Sequence, residues 1–225
     1  MKRCSTGGSS RDGAEPNVSI SGEKDRPTAE AEMRVLSIGD SRRDELEPRV
    51  GGVALLGSIE NWSTTTSGEP LHLIASFPAR FLGIERGRDE FVSVFSFYSK
   101  RHYFLDRVTY HGDPSEMRVI EGEGTTRVVF HDRQCEVFEA NTIPTRRLIA
   151  GELAERAFQG SGLGGFPGFL QNESIAIDSR FEFALQLYGG DFPEGWSDIF
   201  GLSDAVGYLF VDKLAGEGLF FVQAT

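Results

Sequence analysis

The chain has 225 residues, 39% of them apolar and 18 of them phenylalanine, with a formal net charge of −11. That length supplies one large or two small domains with a real hydrophobic core, and the composition belongs to a globular chain rather than a disordered one. The negative charge disfavours a general affinity for nucleic acid or an anionic membrane, since both present phosphates that would repel it.

Two cysteines, Cys4 and Cys135, cannot build a disulfide framework, which predicts a reduced, cytoplasmic protein. No apolar run approaches the roughly 18–20 residues that span a bilayer. The start, MKRCSTGGSSRDG, has the charge of a signal peptide but no apolar segment after it.

Residues 1–31 are Gly, Ser, Pro and mixed charge, and predict a disordered tail, because they bury too little surface to offset their ordering entropy. A globular domain then covers 32–225. Met33–Ile38 opens its core, and a polar turn follows in which Pro48 bars helix at Glu47. Val50–Gly57 is a glycine-bounded apolar run. Leu71–Phe77 reads as a strand ended by Pro78, and Phe91–Tyr98 as a second, rich in β-branched and aromatic residues. The tip Ser99–His102 turns the chain, and Tyr103–Leu105 is expected to pair back as a hairpin. Met117–Ile120, Arg127–Phe130 and Cys135–Glu139 read as further short strands. One segment reads as a helix, Thr145–Gln159, where Leu148, Ile149, Leu153, Ala157 and Phe158 fall near helical spacing and Gly160 supplies a stop. The fold class is therefore mainly β, an α+β chain with little helix.

One order of features occurs twice. Gly51-Gly52 and Gly164-Gly165 each precede an alternating strand, LHLIASF and FEFALQL, and each strand leads across a loop to an aromatic one, VFSFY and GYLFV. This predicts an internal repeat: two weakly related β-rich lobes in one globular unit, at about 32–144 and about 145–225.

The second half resembles the YwqG-like family, bacterial proteins grouped as a domain of unknown function. The resemblance rests on Leu163-Gly164-Gly165-Phe166-Pro167 with Leu170-Gln171, Phe183–Leu187, Gly195-Trp196-Ser197-Asp198, Ser203–Phe210 and the terminal Phe220–Gln223. In the first half Gly51-Gly52, Trp62 and Gly68–Leu71 resemble the family's other repeat, so the match spans 50–225 and is strongest after 160. Where the repeat suggests a glutamine, this chain has Ser76, which departs from any polar site shared by both lobes. The family carries no established activity; the neighbours of some members suggest toxin-immunity roles.

Several constellations resemble the signatures of known chemistries. Gly160-Ser161-Gly162-Leu163-Gly164-Gly165 matches G-x-G-x-x-G, but a helix-like segment precedes it and Phe166-Pro167-Gly168 follows, so it predicts a turn with positive φ rather than a dinucleotide site. Asp191, Glu194, Asp198 and Asp204 crowd one loop with Phe192 and Trp196. Their spacing fits no calcium-loop signature, so a solvated loop is expected, its aromatics offering a recognition surface. Gln171 and Gln186 either read a ligand amide or satisfy buried carbonyls, the structural role being the commoner one for core amides. His72, His102, His111 and His131 show no metal-binding spacing, and no G-x-S-x-G elbow is present. Ser99-Lys100-Arg101-His102, lying between aromatics, reads as a solvated tip with a phosphate-binding alternative.

The expectation is a non-catalytic binding protein for a protein partner, without cofactor, metal or catalytic residues, whose binding residues are Gln171, Gln186, Asp191, Trp196, Asp198 and Asp204. The acidic charge suits a basic, toxin-like partner, and an immunity-type role is one instance. The alternative is a small-molecule enzyme, hydrolase-like, with its site in an inter-lobe groove.

Overall fold

A computed structural model describes residues 32–40, 47–87, 89–137, 142–154, 160–171 and 175–225. The tail expected at 1–31 and Cys4 lie outside the described residues. The chain is mainly β. Among the described residues the strands are β1 (Arg34–Gly39), β2 (Arg49–Val50), β3 (His72–Pro78), β4 (Glu90–Ser96), β5 (Thr126–Asp132), β6 (Arg146–Leu153), β7 (Gly162–Leu163), β8 (Glu182–Tyr188), β9 (Val206–Asp212) and β10 (Glu217–Gln223), with one α-helix, α1 (Pro114–Glu123). They form a single antiparallel sheet in the order β10-β9-β8-β7-β1-β6-β2-β3-β4-β5.

The sheet curls until its two edge strands nearly meet. Thr126 Oγ1 of β5 donates to the Phe220 carbonyl of β10 at 2.7 Å. At Gly218 a Cβ would stand 2.3 Å from Val128, so only glycine lets the two strands approach this closely. Beside them, the Tyr110 and Val222 amides donate to the Val222 and Val108 carbonyls at 3.0 and 2.9 Å, laying residues 108–110 along the rim of β10. The result is a nearly closed barrel.

Alternation divides β9 between two layers. Leu209 and Val211 of β9 join Leu185, Phe220, Phe77, Val92 and Phe95 in the interior cluster. Val206, Tyr208 and Phe210 face the other way, under a cover that includes Phe169, Leu170, Ile177 and Phe181. Burial on both faces explains why β9 reads as an almost unbroken apolar run.

The two sides of the β1–β6 pair carry corresponding elements. The two-residue strands β2 and β7 each run into paired glycines, Gly51 and Gly52 at φ 60° and 81°, and Gly164 and Gly165 at φ 68° and 73°. Both β3 and β8 carry a register shift, between Leu73 and Ala75 and between Phe183 and Leu185. Ser76 then pairs with Ser93 as Gln186 pairs with Tyr208.

Three expectations are corrected. Arg146–Leu153 is the strand β6, not a helix. It lies between β1 and β2 in register with both, and of its apolar residues Leu148 is buried while Ile149 and Leu153 are exposed. Pairing with β1 from Arg147 to Leu153 and with β2 at Arg146 and Arg147 outweighs a spacing that imitates a helix; residues 155–159 of the expected helix lie outside the described residues. Met117–Ile120 sits in α1, whose start is fixed by Asp113, accepting from the Ser115 amide at 2.8 Å, and Pro114, and whose end is fixed by Gly124 at φ 62°. Those caps outweigh the strand preference of Val119 and Ile120. Tyr103–Leu105 forms no hairpin: Tyr103 is exposed, and Leu105–Arg107 is a short 3-10 turn. Of Cys135–Glu139, Val137 makes an isolated bridge to Ala54 and Cys135 is exposed; residues 138–139 lie outside the described set. No helix among the described residues is long and apolar enough to cross a membrane.

Candidate functional site

The residues expected to bind fall into two groups. The first fastens the glycine-rich segment 160–171 to the sheet. Gln186 has no exposed surface; its Oε1 accepts from the Gly168 amide at 2.8 Å and its Nε2 donates to the Gly160 carbonyl at 2.7 Å. Tyr208 donates to the Gly168 carbonyl at 2.8 Å, and buried Gln223 accepts from the Leu170 amide at 2.9 Å. Gln171 donates to the Ala224 carbonyl. Asp191 accepts from Ser161 Oγ at 2.7 Å, and that hydroxyl in turn accepts from the Tyr188 amide at 2.9 Å. Gln171, Gln186 and Asp191 thus satisfy groups that the fold itself provides. Asp204 accepts from the Thr225 hydroxyl at 2.9 Å. The loop carboxylates do not converge, and no group of His, Cys, Asp and Glu among the described residues is arranged to hold a metal ion.

The second group forms a recess of about 420 Å³, lined by His72, Tyr98, Ser99, Lys100, Arg101 and Trp196. The start of β3 supplies His72, the chain leaving β4 supplies Tyr98 to Arg101, and the turn before Ile199 supplies Trp196. Their rings meet: His72 to Tyr98 at 5.4 Å, His72 to Trp196 at 5.8 Å and Tyr98 to Trp196 at 5.5 Å between centroids. Trp196 is half-buried, with its inner side against the interior core. The Lys100 ammonium lies 4.7 Å from the Trp196 ring centroid and donates to the Gly195 carbonyl at 3.3 Å. A cation over an indole face is attracted by the ring quadrupole, so this arrangement orders both side chains.

Asp198 orients the recess from behind by accepting the Tyr98 hydroxyl proton at 2.8 Å. Burial, then that carboxylate, push the Tyr98 phenol well above its ordinary range. Burial and the nearby Lys100 charge hold His72 below the usual histidine range, which keeps it neutral at pH 7. Lys100 and Arg101 are then the charges in the lining. Sequence reasoning found Trp196 and Asp198 through the aromatic loop, and the basic tip through its lysine and arginine. It did not join the two, nor add His72 and Tyr98, because they come together only when strands far apart in the chain are paired.

A second polar array lies within the first half of the sheet. Ser76 and Ser93, both without exposed surface, are 3.0 Å apart through their hydroxyls, and Ser93 Oγ is 2.8 Å from His131 Nε2. The Asp132 carbonyl faces His131 Nδ1 at 3.0 Å, so a neutral ring carries its proton there and accepts from Ser93 at Nε2. A serine donating to a histidine base is the arrangement of nucleophilic catalysis, but no substrate reaches a hydroxyl sealed in this way.

No family model matches the chain, and no curated protein matches it.

Proposed function

We propose that this is a non-catalytic binding protein that captures a protein partner at the recess of His72, Tyr98 and Trp196. The observation that supports this most is Trp196 itself, half-buried on Tyr98 and His72, ordered by Lys100 and open to the recess on its other side. Ordered aromatics with a neighbouring cation are the side chains that anchor interfaces. The hydrolase-like alternative is the weaker reading, because the serine–histidine pair is enclosed.

The net charge of −11 favours encounter with a basic partner, such as a toxin in an immunity-type role, while the rim of the recess itself is basic. We also read the corresponding elements on either side of β1 and β6 as an internal repeat, in keeping with the YwqG-like resemblance; the paired glycines and matched register shifts support it. In that reading Ser76 and Ser93 occupy the places of Gln186 and Tyr208.

The test is affinity capture from the native host with the full chain, alongside Trp196→Ala and Lys100→Glu variants. A co-eluting protein lost from both variants, at unchanged circular dichroism, is the expected result. Equal capture by all three chains refutes the reading.

A further inference from the structure

We infer that the recess takes a ring-bearing anion, a planar aromatic ring carrying a carboxylate or a phosphate. This rests on the recess being the binding site and names the chemistry it accepts.

The wall and the rim ask for different things of one ligand. Half-buried Trp196 offers ring surface, the buried Tyr98 ring packs against it at an inclination of 40°, and His72 completes the lining. Such a wall favours a planar ring, stacked or edge-on, over a hydrated ion. At the rim, Lys100 is fixed by Gly195 and the indole, so it meets a ligand with little ordering left to lose. The Arg101 side chain has no hydrogen bond or ion pair among the described residues, and its guanidinium suits the two oxygens of a carboxylate or phosphate. None of the six lining residues is acidic, and the Asp198 carboxylate is engaged by Tyr98. A simple anion would leave the aromatic wall uncovered, and a neutral ring would leave both cations without a partner. A volume of about 420 Å³ accommodates a ring with its charged group. The overall charge of −11 does not forbid this, since at about 0.1 M salt charges beyond about 10 Å are largely screened while the two cations lie at the site.

The experiment is a titration of the full chain with phenyl phosphate and with benzoate, followed by calorimetry and tryptophan fluorescence. The chain has two tryptophans, and Trp62 is buried with its N–H bonded to the Leu71 carbonyl, so Trp196 is the reporter. Expected is saturable binding of at least one aryl anion, weakened about tenfold by Lys100→Ala and by Arg101→Ala, the loss of one charge-assisted bond. Inorganic phosphate and phenol should each bind at least about tenfold more weakly than phenyl phosphate, since each carries half of the recognised chemistry. Absence of saturation with both aryl anions overturns the inference, as does an affinity in both variants unchanged from that of the parent chain, or inorganic phosphate binding as tightly as phenyl phosphate. The two readings fail separately: a partner lost with Trp196→Ala while the aryl anions do not bind sinks this inference alone. Aryl anions bound at the recess, with partner capture indifferent to Trp196→Ala, support the inference and sink the protein-partner reading. Displacement of a captured partner by phenyl phosphate identifies the ring-bearing anion as a group of that partner; binding without displacement identifies a free small molecule.

Discussion

Tyr98 donates its hydroxyl proton to Asp198 at 2.8 Å, joining the exit of β4 to the tryptophan turn across one hundred positions of sequence. This bond holds Trp196 against Tyr98 and sets the shape of the recess. Tyr98→Phe keeps the ring and deletes the bond. The expected cost is about 0.5–1.5 kcal/mol by urea denaturation, with a clearly larger relative loss of binding at the recess. Stability falling with binding intact would show that the turn is held by other contacts.

Gln186 bridges two chain segments from a fully buried position. Gln186→Leu leaves the Gly168 amide and the Gly160 carbonyl unpaired, and each orphaned buried group costs about 1–3 kcal/mol. A loss of about 2–5 kcal/mol is expected, with faster amide exchange over 160–171 before global unfolding. A change below about 0.5 kcal/mol would mean that the segment finds other partners.

The paired glycines differ in what surrounds them. Gly164 has φ 68° and open space at its Cβ, so Gly164→Ala should cost only the left-handed backbone penalty, about 1–2 kcal/mol. At Gly51 a Cβ would lie 2.5 Å from the Ile143 carbonyl oxygen, a contact with backbone that cannot swing aside. Gly51→Ala should therefore be the more damaging of the two in the same denaturation assay. The reverse order would contradict the close approach of residues 51 and 143.

His131 gives the fold a pH dependence whose sign follows from its surroundings. Burial lowers its pKa first and foremost, the Asp132 carbonyl and carboxylate oppose that, and the Arg49 charge adds to the lowering. Protonation would also remove the acceptor that Ser93 uses. The unfolded chain therefore binds the proton more readily than the folded one, and stability rises with pH in that interval. The contribution is complete above the ordinary histidine value of about 6.5 and is lost as pH falls through the depressed folded value. His72, lowered by burial and by Lys100, acts in the same direction. Melting followed between neutral and mildly acidic pH should fall more steeply in the parent than in His131→Gln; parallel curves would show that His131 does not set this dependence.

What can be read from the chain and what cannot divides along physical lines. Strands β3, β4, β8, β9 and β10 bury most of their side chains, so their apolar runs announce them, and the positive φ of Gly164 and Gly165 follows from a Gly-Gly before Phe166-Pro167. Strand β6 misleads because five of its eight residues face solvent, leaving an apolar spacing that fits a helix as well. Helix α1 is legible in Asp113-Pro114-Ser115-Glu116 and Gly124, a cap at each end, but the β-branched residues of Met117–Ile120 favour a strand when read alone. The recess is half visible: the basic tip and the tryptophan turn each stand out, while their meeting depends on strand order. Gln171, Gln186 and Asp191 are polar residues whose hydrogen bonds go to the fold itself, the role that core amides commonly take.

Binding at the recess between the β4 exit and the tryptophan turn is the claim on which the proposed function stands. Hydrogen exchange with and without the captured partner tests it most directly, because it reads every segment of the same intact chain. Added protection at residues 98–104 and 194–200 is the predicted result. Protection confined to the far seam, around 126–128 and 216–220, with the recess unchanged, would contradict it.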